Sequence, residues 1–341
     1  MKRITTAALV TAAVAGLSSP AHADVVIGPR VAYYFDNSNL RTSNEAGFDI
    51  TARERDAERE AELNEALPLF AFFDSTEPST GILADQIGFP MYGGTINFGD
   101  DRDRFTLTAM YGEGQGDLER STTRQLRLAF GFQEVTDIES TNFSGESDVE
   151  RIDIEATWQR RLNENFALTG GVRFEQLDVS ETGTQFIQTT EQIDAVVAGS
   201  TFVIGLTPPE RFDVASDFRI QTFTARFGAT AFVPLSGSVN SFFSGMVQAG
   251  YSPETDIETV SEFTSSPFPL PEPLITRVTE TQPSEISVGP DMAVGLQWII
   301  ADNLALDVRY RAVVFFPLTG EFEFSDAQVN HGVNLGVTLR L

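Results

Sequence analysis

Residues 286–316 read ISVGPDMAVGLQWIIADNLALDVRYRAVVFF. Ile286, Val288, Pro290, Met292, Val294, Leu296, Trp298 and Ile300 alternate with Ser287, Gly289, Asp291, Ala293, Gly295 and Gln297. A period of two places every apolar residue on one face of a strand, whereas a helix would scatter them round its axis. After Ala301-Asp302-Asn303 the alternation resumes with Leu304, Leu306, Val308, Tyr310, Ala312, Val314 and Phe316. Two runs of about 12 residues joined by a short turn make a hairpin long enough to cross a bilayer at a tilt.

The same unit recurs to either side. Tyr92–Phe98 leads through residues 99–103 to Phe105–Tyr111; Ile152–Trp158 leads through 162–165 to Phe166–Phe174; Phe223–Val233 leads through 236–240 to Phe243–Tyr251. An opening strand over about Val25–Phe35 and a closing one over about Val329–Leu341 bring the expected number to ten, with eight or twelve as alternatives. The links between hairpins are long: about 37–85, 112–148, 180–216, 252–285 and 317–328. Ordinary globular domains do not carry so many long loops. Short turns on one rim and long loops on the other describe a transmembrane up-and-down antiparallel β-barrel, an all-β fold. Within the links, Ile50–Leu67 reads as a short surface helix and 267–273 as a polyproline-like stretch; Leu126, Leu128, Phe130 and Phe132 would extend a hairpin above the membrane.

The N-terminal residues have the layout of an export signal: Lys2 and Arg3, an apolar stretch over about Ala7–Leu17, then Ala21-His22-Ala23. Cleavage after Ala23 would start the mature chain at Asp24, leaving 24–341 as the barrel. Past that point no run approaches the roughly 20 apolar residues of a spanning helix, so a membrane crossing must be made by strands.

The outward phase carries aromatic residues at both ends of these strands. Phe35, Tyr111, Phe174, Tyr251 and Phe316 fall at the outer level; Phe98, Phe105, Trp158, Phe166 and Trp298 fall at the inner one. Aromatic rings favour the headgroup zone, so two belts mark two interfaces. The opposite phase carries Arg30, Arg151, Asp153, Glu155, Arg173, Glu175, Arg226, Asp291, Asp307, Arg309, Arg311 and Arg340. A ten-stranded barrel has a narrow lumen that side chains fill, so these residues are expected to form an ion-paired plug.

The chain ends in Asn334-Leu335-Gly336-Val337-Thr338-Leu339-Arg340-Leu341. This resembles the C-terminal assembly signal of outer-membrane barrel proteins, carried by Asn334, Gly336, Leu339 and Leu341; such chains usually end in Phe or Trp, and Leu341 departs from that. The hairpin around Asp302–Arg311 resembles those of small OmpA-like and OmpW-like barrels. The resemblance implies residence in the outer membrane of a Gram-negative-type cell envelope, contact with outer-membrane lipid, and recognition of the last strand by the barrel-assembly machinery.

Composition removes several function classes. The chain has no cysteine, which excludes disulfides and thiolate chemistry, and its formal charge of −26 makes nucleic acid an unsuitable partner. The four longest links hold 31 acidic and 9 basic residues, so most of the negative charge lies outside the barrel wall. Such loops could take a hard cation, but none has the spacing of a calcium loop, and no metal or cofactor is expected. Barrel hydrolases use a histidine base. His331 is the sole histidine beyond residue 23, and its phase with Val333 and Leu335 points it outward. Asp153 with Glu155 is the spacing of any charged lumen, and the glycines of 112–116 precede no crossover helix.

These readings lead to a non-enzymatic barrel with a structural or surface-interaction role and a largely plugged lumen. The alternatives are a narrow channel or a conduit for small hydrophobic molecules, with Leu69, Phe70, Phe72 and Phe73 at its mouth, and a barrel-embedded hydrolase. An extracellular or small-molecule ligand would be met at the loops.

Overall fold

The computed structural model describes residues 24–36, 71–75, 79–83, 87–100, 102–130, 133–195, 200–206, 210–265, 275–318 and 328–340. The signal sequence, the helix expected over 50–67, Leu69, Phe70, the stretch 267–273 and Leu341 lie outside them.

The described chain is β-strand almost throughout. The strands are β1 (Asp24–Asp36), β2 (Ala71–Ser75), β3 (Ser79–Leu83), β4 (Ile87–Gly99), β5 (Asp103–Phe130), β6 (Gln133–Asn163), β7 (Phe166–Ala195), β8 (Ser200–Leu206), β9 (Glu210–Pro234), β10 (Val239–Ser252), β11 (Thr255–Ser265), β12 (Ile275–Gln282), β13 (Glu285–Ala301), β14 (Leu304–Pro317) and β15 (Gln328–Arg340). Every pairing is antiparallel. Ten strands close a ring in the order β9-β10-β13-β14-β15-β1-β4-β5-β6-β7, with β7 returning to β9. The first and last strands form a seam from Val26 against Arg340 to Asp36 against Asn330, so this ring has no free edge. That is the barrel expected from the alternation.

Turns on one rim are tight. After Gly99, Asp100 accepts hydrogen bonds from the backbone N–H groups of Arg102 and Asp103, both at 2.7 Å. Those bonds hold its carboxyl below the usual carboxylate range. Gly99 sits at φ 137°, and a Cβ there would lie 2.1 Å from the Asp103 carbonyl oxygen, so only glycine fits.

The links at the other rim are long, as expected, but are built largely of strand. Over 112–148 the chain continues as strand, with β5 running to Phe130 and β6 resuming at Gln133; 180–216 holds the ends of β7 and β9 together with β8; 252–285 holds β11 and β12. Strands β5, β6, β7 and β9 have 28, 31, 30 and 25 residues, whereas β1 and β4 have 13 each, so one side of the barrel rises far above the rest. The excess of about 15 residues is roughly 50 Å of strand.

Alternation persists through this extension, but the apolar set changes sides. In the lower barrel Val172, Phe227, Val247, Val294 and Leu335 face outward and are exposed. Higher on β7 the outward positions become Gln176, Asp178, Ser180 and Thr182, while Leu177 and Val179 are buried inside; on β6 they become Glu150, Asp148 and Glu146, with Val149 and Phe143 inside. Tyr34, Phe89, Met91, Met110, Phe143, Val149, Leu177, Val179, Phe218 and Ile257 join in one apolar core. The exchange follows the surrounding medium. Apolar rings and branched chains face outward where lipid bathes the wall, and inward where water does.

A charge tests that boundary. Val247→Arg, on the outward face at mid-barrel, should destabilise folding into lipid bilayers by about 2–4 kcal/mol. Ser180→Arg, outward but above the aromatic level, should stay within about 0.5 kcal/mol of the parent. Equilibrium unfolding of both variants in vesicles checks the pair.

Candidate functional site: an ion-paired lumen

Inward positions of the ring bring ten of the twelve expected lumen charges together, in three groups. Near the outer level, β6 and β7 supply Asp153, Arg151, Arg173 and Glu175. Arg173 grips Asp153 through two hydrogen bonds, Nε to Oδ1 at 2.9 Å and Nη2 to Oδ2 at 2.7 Å, and also meets Glu175 at 2.7 Å. Arg151 donates to Glu175 at 2.8 Å and lies over the rings of Tyr34 and Phe89, at 5.5 and 5.8 Å from their centroids. Fork-to-fork geometry of this kind is specific to arginine.

The central group joins four strands. Arg311 on β14 grips Asp291 on β13 at 2.9 and 2.6 Å and reaches Glu155 on β6 at 2.8 Å. Arg226 on β9 meets the same Asp291 at 3.0 Å, pairs with Glu155, and donates to Thr157 at 2.7 Å. In the ring order β14 and β6 stand five places apart, on opposite walls. The contact between Arg311 and Glu155 therefore spans the full diameter, and Asp291 beneath it is fully buried.

The third group lies on the wall around the seam. Arg30 pairs with Asp307 at 3.1 Å and donates to Thr95 and to Asn334 Oδ1, the latter at 3.3 Å. Two residues of the C-terminal motif thus belong to the lumen. Asn334 accepts from Arg30, and Gly336 leaves space for Asp307, whose Oδ1 would stand 2.5 Å from an added Cβ.

Two of the expected lumen charges stand apart from these pairs. Arg340, at the turn-side end of the seam, is exposed and lines the mouth of the lumen beyond these groups. Arg309 sits on the inward face between Asp307 and Arg311, and among the described residues it forms no ion pair. Sequence reading overlooked the uncharged groups that complete the packing. Thr169 and Thr230 lie 3.0 Å apart, Thr230 donates to Ser244 at 3.2 Å, and Thr95 lies 3.0 Å from Thr108. Their signal was small polar residues on the inward phase, which a search for charges passes over.

The plug divides the lumen. On the turn side lies a cavity of about 450 Å³, whose wall includes Asn97, Thr106, Asn240 and Gln297 and whose inner end carries Glu155, Arg226, Asp291 and Arg311. On the other side a pocket of about 70 Å³ is lined by Glu175, Thr222, Ser287 and Asn330.

The outward aromatic positions pair or pack across neighbouring strands. Phe98 stacks on Phe105 with centroids 5.6 Å apart, and Phe105 pairs with Trp158 in the next strand, while Phe166 and Trp298 are exposed at the same rim. At the outer level Phe174 packs on Phe223 at 5.1 Å, Phe223 pairs with Tyr251, and Tyr111 pairs with Tyr92; Phe316 pairs with Val288. Phe35 stacks on His331 at 5.3 Å, and the Tyr310 hydroxyl lies 3.1 Å from His331 Nδ1. His331 therefore sits among outward aromatics, on the far side of the wall from the lumen carboxylates. Among the described residues no three His, Asp or Glu side chains are grouped to hold a metal ion.

No family model matches the sequence, and no curated protein matches it. Among solved structures, the outer membrane protease OmpT of Escherichia coli is 10% identical, with 94% of this chain and 96% of that one covered and a TM-score of 0.32. Ail, the attachment invasion locus protein of Yersinia pestis, is 16% identical over 60% of this chain and 97% of its own, with a TM-score of 0.23. The toluene transporter TodX of P. putida is 8% identical over 94% and 90%, with a TM-score of 0.22. At these scores the barrel rests on the closed ring of paired strands itself.

Removing one arm of the central group leaves carboxylates short of a partner in a dry site. Arg311→Ala should cost roughly 3–5 kcal/mol. Arg311→Met combined with Glu155→Gln should cost less than the two single changes together, by about 0.5–3 kcal/mol of coupling. Urea unfolding in detergent micelles measures both.

Proposed function

We propose that this protein is an integral outer-membrane barrel, exported and non-enzymatic, which serves a structural or surface-interaction role and does not conduct. The observation that carries this reading is the bond between Arg311 and Glu155 across the lumen, backed by the buried Asp291 and Arg226. A channel needs a continuous wet path, and paired charges of opposite walls close this one. The apolar, aromatic-bordered outer face supports contact with outer-membrane lipid. The C-terminal motif supports handling by the barrel-assembly machinery.

What the plugged barrel carries is a tall β-sheet head. Its outward face presents Glu113, Asp117, Glu146, Asp148, Glu150, Asp217 and Glu258, all exposed. Glu113 stands directly opposite Glu150, which stands beside Asp178 in the next strand. Like charges across a ladder cost stability, so the face is built for its charge rather than for the fold. A partner for it would be cationic, and the head would keep the surface soluble and free of self-association.

Single-channel recording in planar bilayers tests the closed lumen. The parent protein should give no steady current, while removing Glu155, Asp291 and Arg311 together, each to Ala, should produce stepwise conductance. A steady large conductance from the parent would sink the plugged reading.

A further inference from the structure

The turn-side cavity has a feature that the plug does not use. Five carboxylates, Asp153, Glu155, Glu175, Asp291 and Asp307, face six arginines in the lumen groups. Each carboxylate is engaged by an arginine other than Arg309: Asp307 by Arg30, Asp153 by Arg173, Glu175 by Arg151 and Arg173, and Glu155 and Asp291 by Arg226 and Arg311. Arg309 lies two residues from Asp307 and two from Arg311 on the same face, between two occupied sites. Its Nε is sealed from solvent without a hydrogen-bond partner, and the rest of the side chain lines the cavity.

We propose that this cavity binds a small oxyanion, of carboxylate or phosphate chemistry, seated against Arg309. The fixed positive charge is surplus to the ion pairs around it. It lies in a wall of low dielectric, where an uncompensated charge is costly. The acid that does act on it, Glu155, is already held by Arg226 and Arg311, so further compensating charge comes from the open, turn-side solvent. A guanidinium suits a planar or tetrahedral oxyanion because it offers several N–H donors in one plane. The neighbouring wall adds neutral amide donors in Asn97 and Asn240, which can hold oxygens without adding charge. At about 450 Å³ the space falls within the range of small-molecule sites and exceeds what one ordered water needs. The closed inner end makes it a receptacle entered from one side, so binding there neither requires nor creates a path through the barrel.

Calorimetric titration of the full chain in detergent micelles, with sodium phosphate and separately with sodium acetate at matched ionic strength, tests this. Saturable binding should weaken at least roughly tenfold in Arg309→Gln. It should persist in Arg160→Gln, a change on the outside of the barrel. Binding of phosphate alone would assign a phosphate ligand, and of acetate alone a carboxylate. Absence of saturable binding by both salts, equal affinity in Arg309→Gln, or loss in Arg104→Gln at the rim with Arg309→Gln unaffected, would overturn the proposal. If Arg309→Gln does not fold, the parent decides: the binding anion should raise its melting temperature above that in chloride of equal ionic strength, and no rise overturns the site. The bilayer recordings stand apart, since Arg309 forms no part of the contact that closes the lumen.

Discussion

A charge placed inside a ten-stranded barrel must find its partner there. The lumen is too narrow to hydrate many ions, and the lipid outside offers nothing polar. Arg311, reaching from β14 to Glu155 on β6 while gripping Asp291, satisfies that requirement across the whole diameter. The other inward choices follow from it. Threonines and serines line the rest of the wall with hydrogen-bonded groups of small volume, and Gly336 yields the space that Asp307 occupies. Buried ion pairs contribute modestly to stability once desolvation is counted, but removing one partner is expensive. Such a plug acts chiefly by excluding other arrangements of the wall.

Above the outer aromatic level the same strands obey the opposite rule. The pleat still alternates, but water has replaced lipid outside, and the apolar side chains turn inward to form a core continuous with the top of the lumen. One set of strands thus builds two structures of inverted polarity, joined without a linker. The continuity stiffens the head: β5 with β6 and β6 with β7 are paired along nearly their full lengths. The acidic outward face is held on a rigid sheet, and its charge pattern is therefore fixed in space.

Inversion also explains where reading from the sequence fell short. The hairpin at 286–316 and its three repeats were legible because lipid-facing strands display large apolar residues on one phase and small or charged residues on the other. In 112–148 the outward phase carries Glu113, Asp117, Glu146 and Asp148 and in 180–216 Ser180, Thr182 and Thr184, while the inward phase is interrupted by Gly114, Gly145, Ser147, Gly183 and Gln185, so outside 126–132 the alternation sinks below the threshold at which a strand is distinguished from a polar loop. Paired edges supply what local pattern does not, and pairing is a property of neighbours distant in sequence.

Legible in the sequence alone were the alternating phase, the asymmetry of short and long links, and the charged residues of the inward phase, because each depends on residues a few positions apart. Only the tertiary structure decided which arginine meets which carboxylate. Ring closure sets β14 opposite β6 and puts residues 156 apart within 2.8 Å. Among the described residues it also left Arg309 without an ion pair beside a cavity, since Arg30, Arg226 and Arg311 hold Asp307, Asp291 and Glu155.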